Sequence, residues 1–399
     1  MNWLKDLLES TNGLESPQSY FYWSALAAIS ATVGKRIYLD RGGVYRLYPN
    51  VYVFLISKKS GLRKGVPITF AKKIAYEVGT IRIIDGQNSI QGVLKELGKI
   101  KTNESGHIIK TAEGFLITGE FASFMLQDGV GFSLTTLTDL YDTQYHENGF
   151  NKRLSTQEEL QLKEPCLTAL FASNETHFFD SVPKSAMTGG FLARTFCIYE
   201  EKRNAINTLM RAPTKFVNYK GISKHLKELS KLKGEFIVNE DAIQLYEAWY
   251  NEFTSKDFDG DTGTEERIGD NILKAAMLIS LADNCELKIQ LESMEEAIRR
   301  SMEAFVGLRR LLMGGTGDAK SIKSTAFKIV MTLLLSGESY EVSRKTILVK
   351  SAGIFGPYDL DETVEHFLQA RMITMDKRGS ETYYKLKQWV IDKHNSING

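Results

Sequence analysis

Cysteine, a surplus of either charge, and long apolar runs are what this 399-residue chain has least of. The three cysteines, Cys166, Cys197 and Cys285, are odd in number, widely spaced and set in apolar runs. That excludes a disulfide framework, and with no CxxC and no histidine at ligand spacing it argues against a structural zinc site. Reduced thiols in a reducing compartment are expected. Lys and Arg total 50 against 49 Asp and Glu, so any nucleic-acid surface must be a local patch. No stretch approaches the ~20 apolar residues a membrane helix needs, and the N-terminus lacks the pattern of a signal peptide. A soluble, cytoplasmic protein without a membrane partner is expected. The six histidines are scattered, and none of His146, His177 and His366 has a nucleophile in an elbow sequence beside it. Asp257-Asp259-Asp261 lacks the later glutamate of a calcium loop and reads as a polar turn.

What is present is ordinary globular material, 43% hydrophobic and 25% charged. Single cores stop growing at roughly 250 to 300 residues, so the chain divides. Residues 18–34 have helical periodicity; Arg36 to Leu39 and Gly43 to Leu47 read as a hairpin. Val51 to Ile56 is a continuous β-branched and aromatic run, the mark of a strand buried on both faces of a parallel sheet. A polar loop and a helix over 67–78 follow. Ile81 to Ile84, Gly114 to Thr118 and Cys166 to Ala172 are further buried strands. The predicted fold class is α/β, a P-loop core of RecA-like or AAA+-like kind with a helical region and a C-terminal winged helix. The expected domains are an N-terminal helical segment and hairpin over 1–45, the core over 46–210, a helical region over 211–313 and a winged helix over 320–399, with Gly314-Gly315-Thr316-Gly317 as linker.

The loop between strand and helix, Ser60-Gly61-Leu62-Arg63-Lys64-Gly65, is the first functional candidate. In a phosphate-binding loop, a strand delivers a turn into a helix N-terminus, so backbone N–H groups and a lysine surround the phosphates. On the pattern G-x-x-x-x-G-K-[ST], Lys64 takes the lysine position. The glycine positions hold Lys58 and Arg63, and the Ser/Thr position holds Gly65. Mg²⁺ is then left to water, to Thr69, or to nothing. With Lys58, Lys59, Arg63 and Lys64 the turn is strongly basic and suits a polyanion such as ATP; a solvated surface loop is the alternative.

Three downstream residues complete the set. Glu120, after Phe115 to Gly119, stands where a strand-end carboxylate orients water and supports Mg²⁺, or else is a carboxylate at a helix N-terminus. Asn174, after Cys166 to Ala172, is either a γ-phosphate sensor or an N-cap. Arg194, within a predicted strand after Gly189-Gly190, neutralises phosphate charge in cis or from the next subunit, or holds the strand by an ion pair. Arg203 and Arg153 are further arginines of that kind.

Over 321–336, 340–351 and 359–371 three helices are expected, then a hairpin around Asp376-Lys377-Arg378-Gly379, which is the winged-helix order. The third helix starts with Asp359, Asp361, Glu362 and Glu365, which phosphates repel. Lys377, Arg378, Lys385 and Lys387 on the wing are the nucleic-acid candidates, with protein contact as the alternative.

The succession Tyr22 to Ser30, Tyr48 to Val53, Ser60 to Gly65, Gly190 to Arg194 and Leu273 to Leu278 resembles helicase-like P-loop ATPases of bacteriophages and integrative elements, often found with primase domains. The resemblance covers roughly residues 15 to 315. It implies a motor in replication or recombination of mobile-element DNA, acting on single-stranded or forked DNA, commonly as a homo-oligomeric ring, with a hexamer as one size, with ATP and Mg²⁺ and alongside replication proteins. Lys64 would be the phosphate lysine, Glu120 the strand-end acid, Asn174 the sensor and Arg194 the finger. Where the family commonly has Ser or Thr and Asp, this chain has Gly65 and Gly119. The alternative is a non-hydrolysing DNA-binding or assembly protein.

Overall fold

The computed structural model describes residues 3–86, 89–99, 101–102, 108–109, 112–142, 150–153, 159–182, 190–206, 217–256, 263–315, 319–352 and 354–398. His146 and the turn at Asp257-Asp259-Asp261 lie outside them. The chain forms two compact units, Met1–Ala304 and Phe305–Gly399.

The first unit is organised by a five-stranded parallel sheet. Its strands are β1 (Tyr52–Ser57), β2 (Ile83–Asp85), β3 (Glu113–Thr118), β4 (Cys166–Asn174) and β5 (Thr195–Glu200), in the spatial order β5-β1-β4-β3-β2. Every residue of β1 is buried, as is β4 from Cys166 to Ser173. That is why both read as unbroken apolar runs rather than as alternating patterns.

The pleat sends alternate side chains to two helical layers. One layer holds α1 (Gln18–Val33) and α2 (Gly65–Val78), α1 lying across β1, β3 and β4. There Ser30 Oγ and Thr168 Oγ1 share a hydrogen bond of 2.6 Å. The other layer holds α3 (Phe121–Gln127), α4 (Val130–Tyr141) and α5 (Glu175–Ser181). Here Phe54 meets Phe121 at 4.5 Å and Phe178 at 5.3 Å between ring centroids, and Phe121 meets Phe171 at 4.9 Å. Truncating a fully buried phenylalanine such as Phe54 to alanine costs about 3–5 kcal/mol.

The expected hairpin forms as Ile37–Arg41 paired with Tyr45–Leu47, Leu39 opposite Leu47. The helical region is not a separate domain. Its helix Tyr219–Leu229 packs on α1 and α2, and α6 (Ile268–Asp283) packs on α1. Apart from Asp270 and Asp283, the residues of α6 are buried. A helix covered all round needs neighbours on every side, so it belongs to the same core as the sheet. The expected linker is also corrected: Gly314 and Gly315 end the helix Leu291–Gly315, and the unit boundary falls inside that helix. Thr316 and Gly317 lie outside the described residues.

The second unit runs helix Ala319–Ser336, strand Glu341–Ser343, helix Arg344–Lys350, helix Pro357–Gln369, strands Ile373–Arg378 and Glu381–Leu386, and helix Gln388–Asn398. Its core includes Val330, Leu334, Ile347, Leu360, Phe367 and Tyr384. The helix expected from residue 340 starts only at Arg344. Glu341 to Ser343 pair antiparallel with Lys385 to Tyr383, making the hairpin a three-stranded sheet, and the Ser343 hydroxyl caps the helix by accepting from the Thr346 N–H at 3.1 Å.

Candidate functional site

The chain leaves β1 through α2 toward β2 at one edge of the sheet, and leaves β4 through α5 toward β5 at the other edge. Neighbouring strands whose connections depart in opposite directions leave a crevice beyond their C-terminal ends, the usual ligand position in open α/β sheets. In this sheet the crevice falls between β1 and β4, where Ser57 and Asn174 stand opposite one another in register. Ser57 is also opposite Glu200 of β5.

The basic loop leaves this crevice. Ser60–Leu62 is a single 3₁₀ turn and α2 begins at Gly65. Arg63, in the pattern's second glycine position, takes the left-handed conformation that glycine adopts without strain, at φ 50° and ψ 40°. A non-glycine residue there costs about 1–2 kcal/mol, and three contacts hold it. The Ser16 hydroxyl donates to its carbonyl at 2.9 Å, its Nε donates to Glu15 at 2.9 Å, and its carbonyl accepts from the Val66 N–H at 3.0 Å.

Lys64 turns inward. Its ammonium donates to the Ser57 Oγ at the end of β1. Partial burial lowers its pKa, while the negative charge of Glu120 acts in the opposite direction and favours the ammonium. Lys64 and Glu120 therefore share one crevice. Glu120 occupies the N-cap position of α3 with an exposed side chain that caps no backbone N–H.

The loop is less cationic than its sequence, because carboxylates meet it. Lys58 pairs with Glu201 at 2.5 Å, and Glu15 binds both Arg63 and Arg203. Gly65 and Gly119 have open space where a side chain would start. Thr69 is no stand-in for a metal-binding hydroxyl, since its Oγ1 donates to the Gly65 carbonyl at 2.8 Å within its own helix. Ser57 is the hydroxyl nearest the lysine, a role no loop pattern assigns because it precedes the loop. Among the described residues no three His, Cys, Asp or Glu side chains converge as a metal site. Of these residues Lys64 is the one that could meet a phosphate chain and Glu120 the carboxylate that could stand beside a magnesium ion, since the Ser57 Oγ already accepts from the ammonium.

Asn174 is the N-cap of α5, its Oδ1 accepting from the His177 N–H at 2.8 Å, with Nδ2 3.3 Å from His177 Nδ1. It stands at the crevice with its carbonyl oxygen already used.

Arg194 is not brought to this crevice, and of the expected readings the structure shows the ion pair. Leu192–Arg194 is a 3₁₀ turn and β5 starts at Thr195, which is opposite Tyr52 at the N-terminal end of β1. At about 3.3 Å per strand residue, five steps separate that end from Ser57 by ~17 Å. Arg194 is 7% exposed and bound to Asp142 at 2.5 Å and to the Gly190 carbonyl at 2.8 Å. A finger acting in cis would have to reach the crevice, and Arg194, buried and ion-paired at the opposite end of the strands, does not. Gly189 and the side chain of Arg153 lie outside the described residues.

Around Arg194 lies a polar network that motif reasoning missed. Asp142 also meets Arg267 at 3.4 Å, and Asn271 joins the Tyr141 hydroxyl at 2.8 Å to the Ala193 carbonyl at 2.8 Å. Lys274, 2% exposed, donates to Asn50 Oδ1 at 2.9 Å and to its carbonyl at 3.1 Å, and lies 3.7 Å from the Tyr141 ring centroid. Burial pushes its pKa down to about 7. The only signal for it was a lysine inside an otherwise apolar helical run.

In the second unit the charges of the hairpin over residues 373–386 are divided. Arg378 is engaged by Glu341 at 2.7 Å and Asp376 at 2.9 Å, and stacks on Tyr383. Register puts Arg378 and Lys385 on one face of the hairpin and Lys377 on the other. Lys377 and Lys385 are exposed, Lys387 half-buried. On the helix Pro357–Gln369, Asp359 is bound by Arg310 at 2.8 Å and Asp361 by Arg344.

Set against known proteins, the chain matches no family model and no curated protein. Among the described residues, no helix is long and apolar enough to cross a membrane.

Proposed function

We propose that the first unit is a P-loop ATPase core of RecA-like or AAA+-like kind that binds a nucleoside triphosphate at the loop Ser60–Gly65 and acts on DNA, in replication or recombination of a phage or mobile element. The observation that carries this reading is the position of Lys64. It stands at the start of α2, directly beyond a fully buried central strand, at the switch point between β1 and β4, and within the field of Glu120. A cation there meets a phosphate chain, and a carboxylate at the end of β3, on the far side of β4, polarises water. Assembly into a ring, and a winged-helix role for the second unit, belong to the same proposal.

ATP hydrolysis stimulated by single-stranded DNA tests it. Turnover should disappear in Lys64→Ala and in Glu120→Gln. Absence of hydrolysis by the wild type with either Mg²⁺ or Mn²⁺ removes the motor reading.

A second reading, a non-hydrolysing DNA-binding or assembly protein, is favoured by Gly65 and Gly119, which leave the metal without its usual hydroxyl and aspartate. Its signature is DNA affinity that falls steeply with salt and ignores nucleotide.

A further inference from the structure

Gly61 has no backbone reason to be glycine, since its φ is not among the positive values. What occupies its side-chain space is the mobile end of another side chain. A Cβ at position 61 would lie 2.8 Å from Nη2 of Arg203 and 3.6 Å from its Cζ. The guanidinium of Arg203, three residues after β5, is therefore packed on the backbone of the loop in space that a side chain would fill.

A carboxylate keeps it there. Glu15, 5% exposed, spans two arginines, Oε2 accepting from Arg63 Nε at 2.9 Å and Oε1 from Arg203 Nη1 at 2.7 Å. Arg63 holds its pKa below the usual carboxylate range, with Arg203 acting in the same direction. The backbone around Glu15 is fastened as well. Its carbonyl accepts from the Asn204 N–H at 3.1 Å, and the Asn204 side chain donates to the carbonyls of Asn12 at 2.5 Å and Leu14 at 3.2 Å. One carboxylate thus brings together two cations that would otherwise repel, from segments 140 residues apart in sequence (203 minus 63). A guanidinium has five N–H donors, and each of these gives one to Glu15. Their side chains are 60% and 42% exposed, so the remaining donors face solvent and the loop rather than a closed ion pair.

We infer that Arg203 is a phosphate ligand of this loop, supplied from beyond β5, and that Glu15 is the positioning residue that holds Arg203 and Arg63 against it. This rests on the triphosphate reading of the loop. Arg63 and Arg203 replace in charge what the loop lacks in glycine, and the planar fork of arginine matches phosphate oxygens better than a lysine does.

The test uses the full chain with ATP as the probe, titrated by calorimetry at low and at moderate salt, with thermal melts in the absence of nucleotide as the control for folding. Arg203→Ala should weaken ATP binding about tenfold and flatten its salt dependence, Arg203→Lys should recover part of the loss, and Glu15→Gln should weaken binding several-fold. If Lys64→Ala loses ATP while Arg203→Ala binds like the wild type, the inference is overturned and the loop reading stands. If Arg203→Lys is as weak as Arg203→Ala and the salt dependence is unchanged in both, charge on phosphate is not its role and the inference likewise fails. Tighter binding in Glu15→Gln would make Glu15 a competitor of phosphate and overturn its positioning role. No binding by the wild type, or none lost in Lys64→Ala, overturns the loop reading and this inference together.

Discussion

Lys64 donates a hydrogen bond to Ser57 across the turn that joins β1 to α2. The bond fixes a long, mobile side chain against the strand end, where burial lowers its pKa and Glu120 opposes that shift. A hydrogen bond to a charged group is worth about 1.5–3 kcal/mol, so Ser57→Ala should weaken ATP binding about tenfold. Lys64→Ala should weaken it further. Calorimetric titration measures both, and equal affinities in Ser57→Ala and wild type would mean the hydroxyl has no part in orienting the ammonium.

Gly65 and Gly119 are the two departures that bear on magnesium, and both open onto space. Neither has a positive φ, so a side chain adds no backbone strain. Gly65→Ser and Gly119→Asp should each leave stability within about 0.5 kcal/mol of wild type, as surface substitutions usually do. In the double variant, Mg²⁺ should tighten ATP binding more than in wild type and hydrolysis should rise. Melting curves and turnover with and without EDTA check this. A double variant that folds and gains no Mg²⁺ dependence removes magnesium chemistry from this crevice.

The sheet was legible in the sequence because burial on both faces writes itself as unbroken apolar runs; β1, β3 and β4 fall within two residues of where those runs stand. The loop and Glu120 were legible because a strand-loop-helix order is local. What was not legible is pairing between distant segments. Arg194 reads as a strand arginine that meets phosphate or an acid, but it ends a 3₁₀ turn and the acid, Asp142, lies 52 residues away in sequence. Glu15 lay in an unremarked connection before α1, yet it engages two arginines, one 48 and the other 188 residues away. Ser343 and its strand were lost because three residues are too few to set a period.

Arg194 is expected to matter for stability and not for nucleotide. Removing one partner of a buried ion pair leaves the other charge stranded, at about 3–5 kcal/mol. Arg267 stays near Asp142, so Arg194→Ala should cost about 3 kcal/mol, at the lower end of that range. Urea unfolding measures the loss. Nucleotide affinity of the folded fraction should be unchanged, and an affinity loss as large as that of Lys64→Ala would restore Arg194 to the site.

Lys377 and Lys385 lie on opposite faces of the hairpin in the second unit, so one phosphate backbone cannot engage both in the same way. Lys385→Ala and Lys377→Ala should therefore differ in their effect on DNA affinity, the contacting one lowering the salt slope by about 1. Arg378→Ala should act mainly on the stability of the hairpin, since Glu341 and Asp376 hold its charge. Binding isotherms at several salt concentrations separate these outcomes, and identical losses from both lysines would contradict the two-faced arrangement.

Lys274 gives a pH dependence whose sign is fixed. Its pKa is pushed down to about 7 by burial, from 10.5. Between those values the unfolded chain binds a proton that the folded chain does not, so this lysine makes stability rise with pH across that window. Above it both states are neutral at this site and the penalty is gone; below about pH 7 the penalty is fully present. At 1.36 kcal/mol per pKa unit, the contribution is a few kcal/mol, on the order of half of a typical folding free energy. Lys274→Met keeps most of the volume, removes the titration and leaves Asn50 without its ammonium. Its unfolding free energy, measured in urea at pH 7, 8, 9 and 10, should be flatter than that of the wild type over the same range. Parallel profiles for the two proteins would show that Lys274 keeps an ordinary pKa in the folded state, which would require water to reach it between Asn50 and Tyr141.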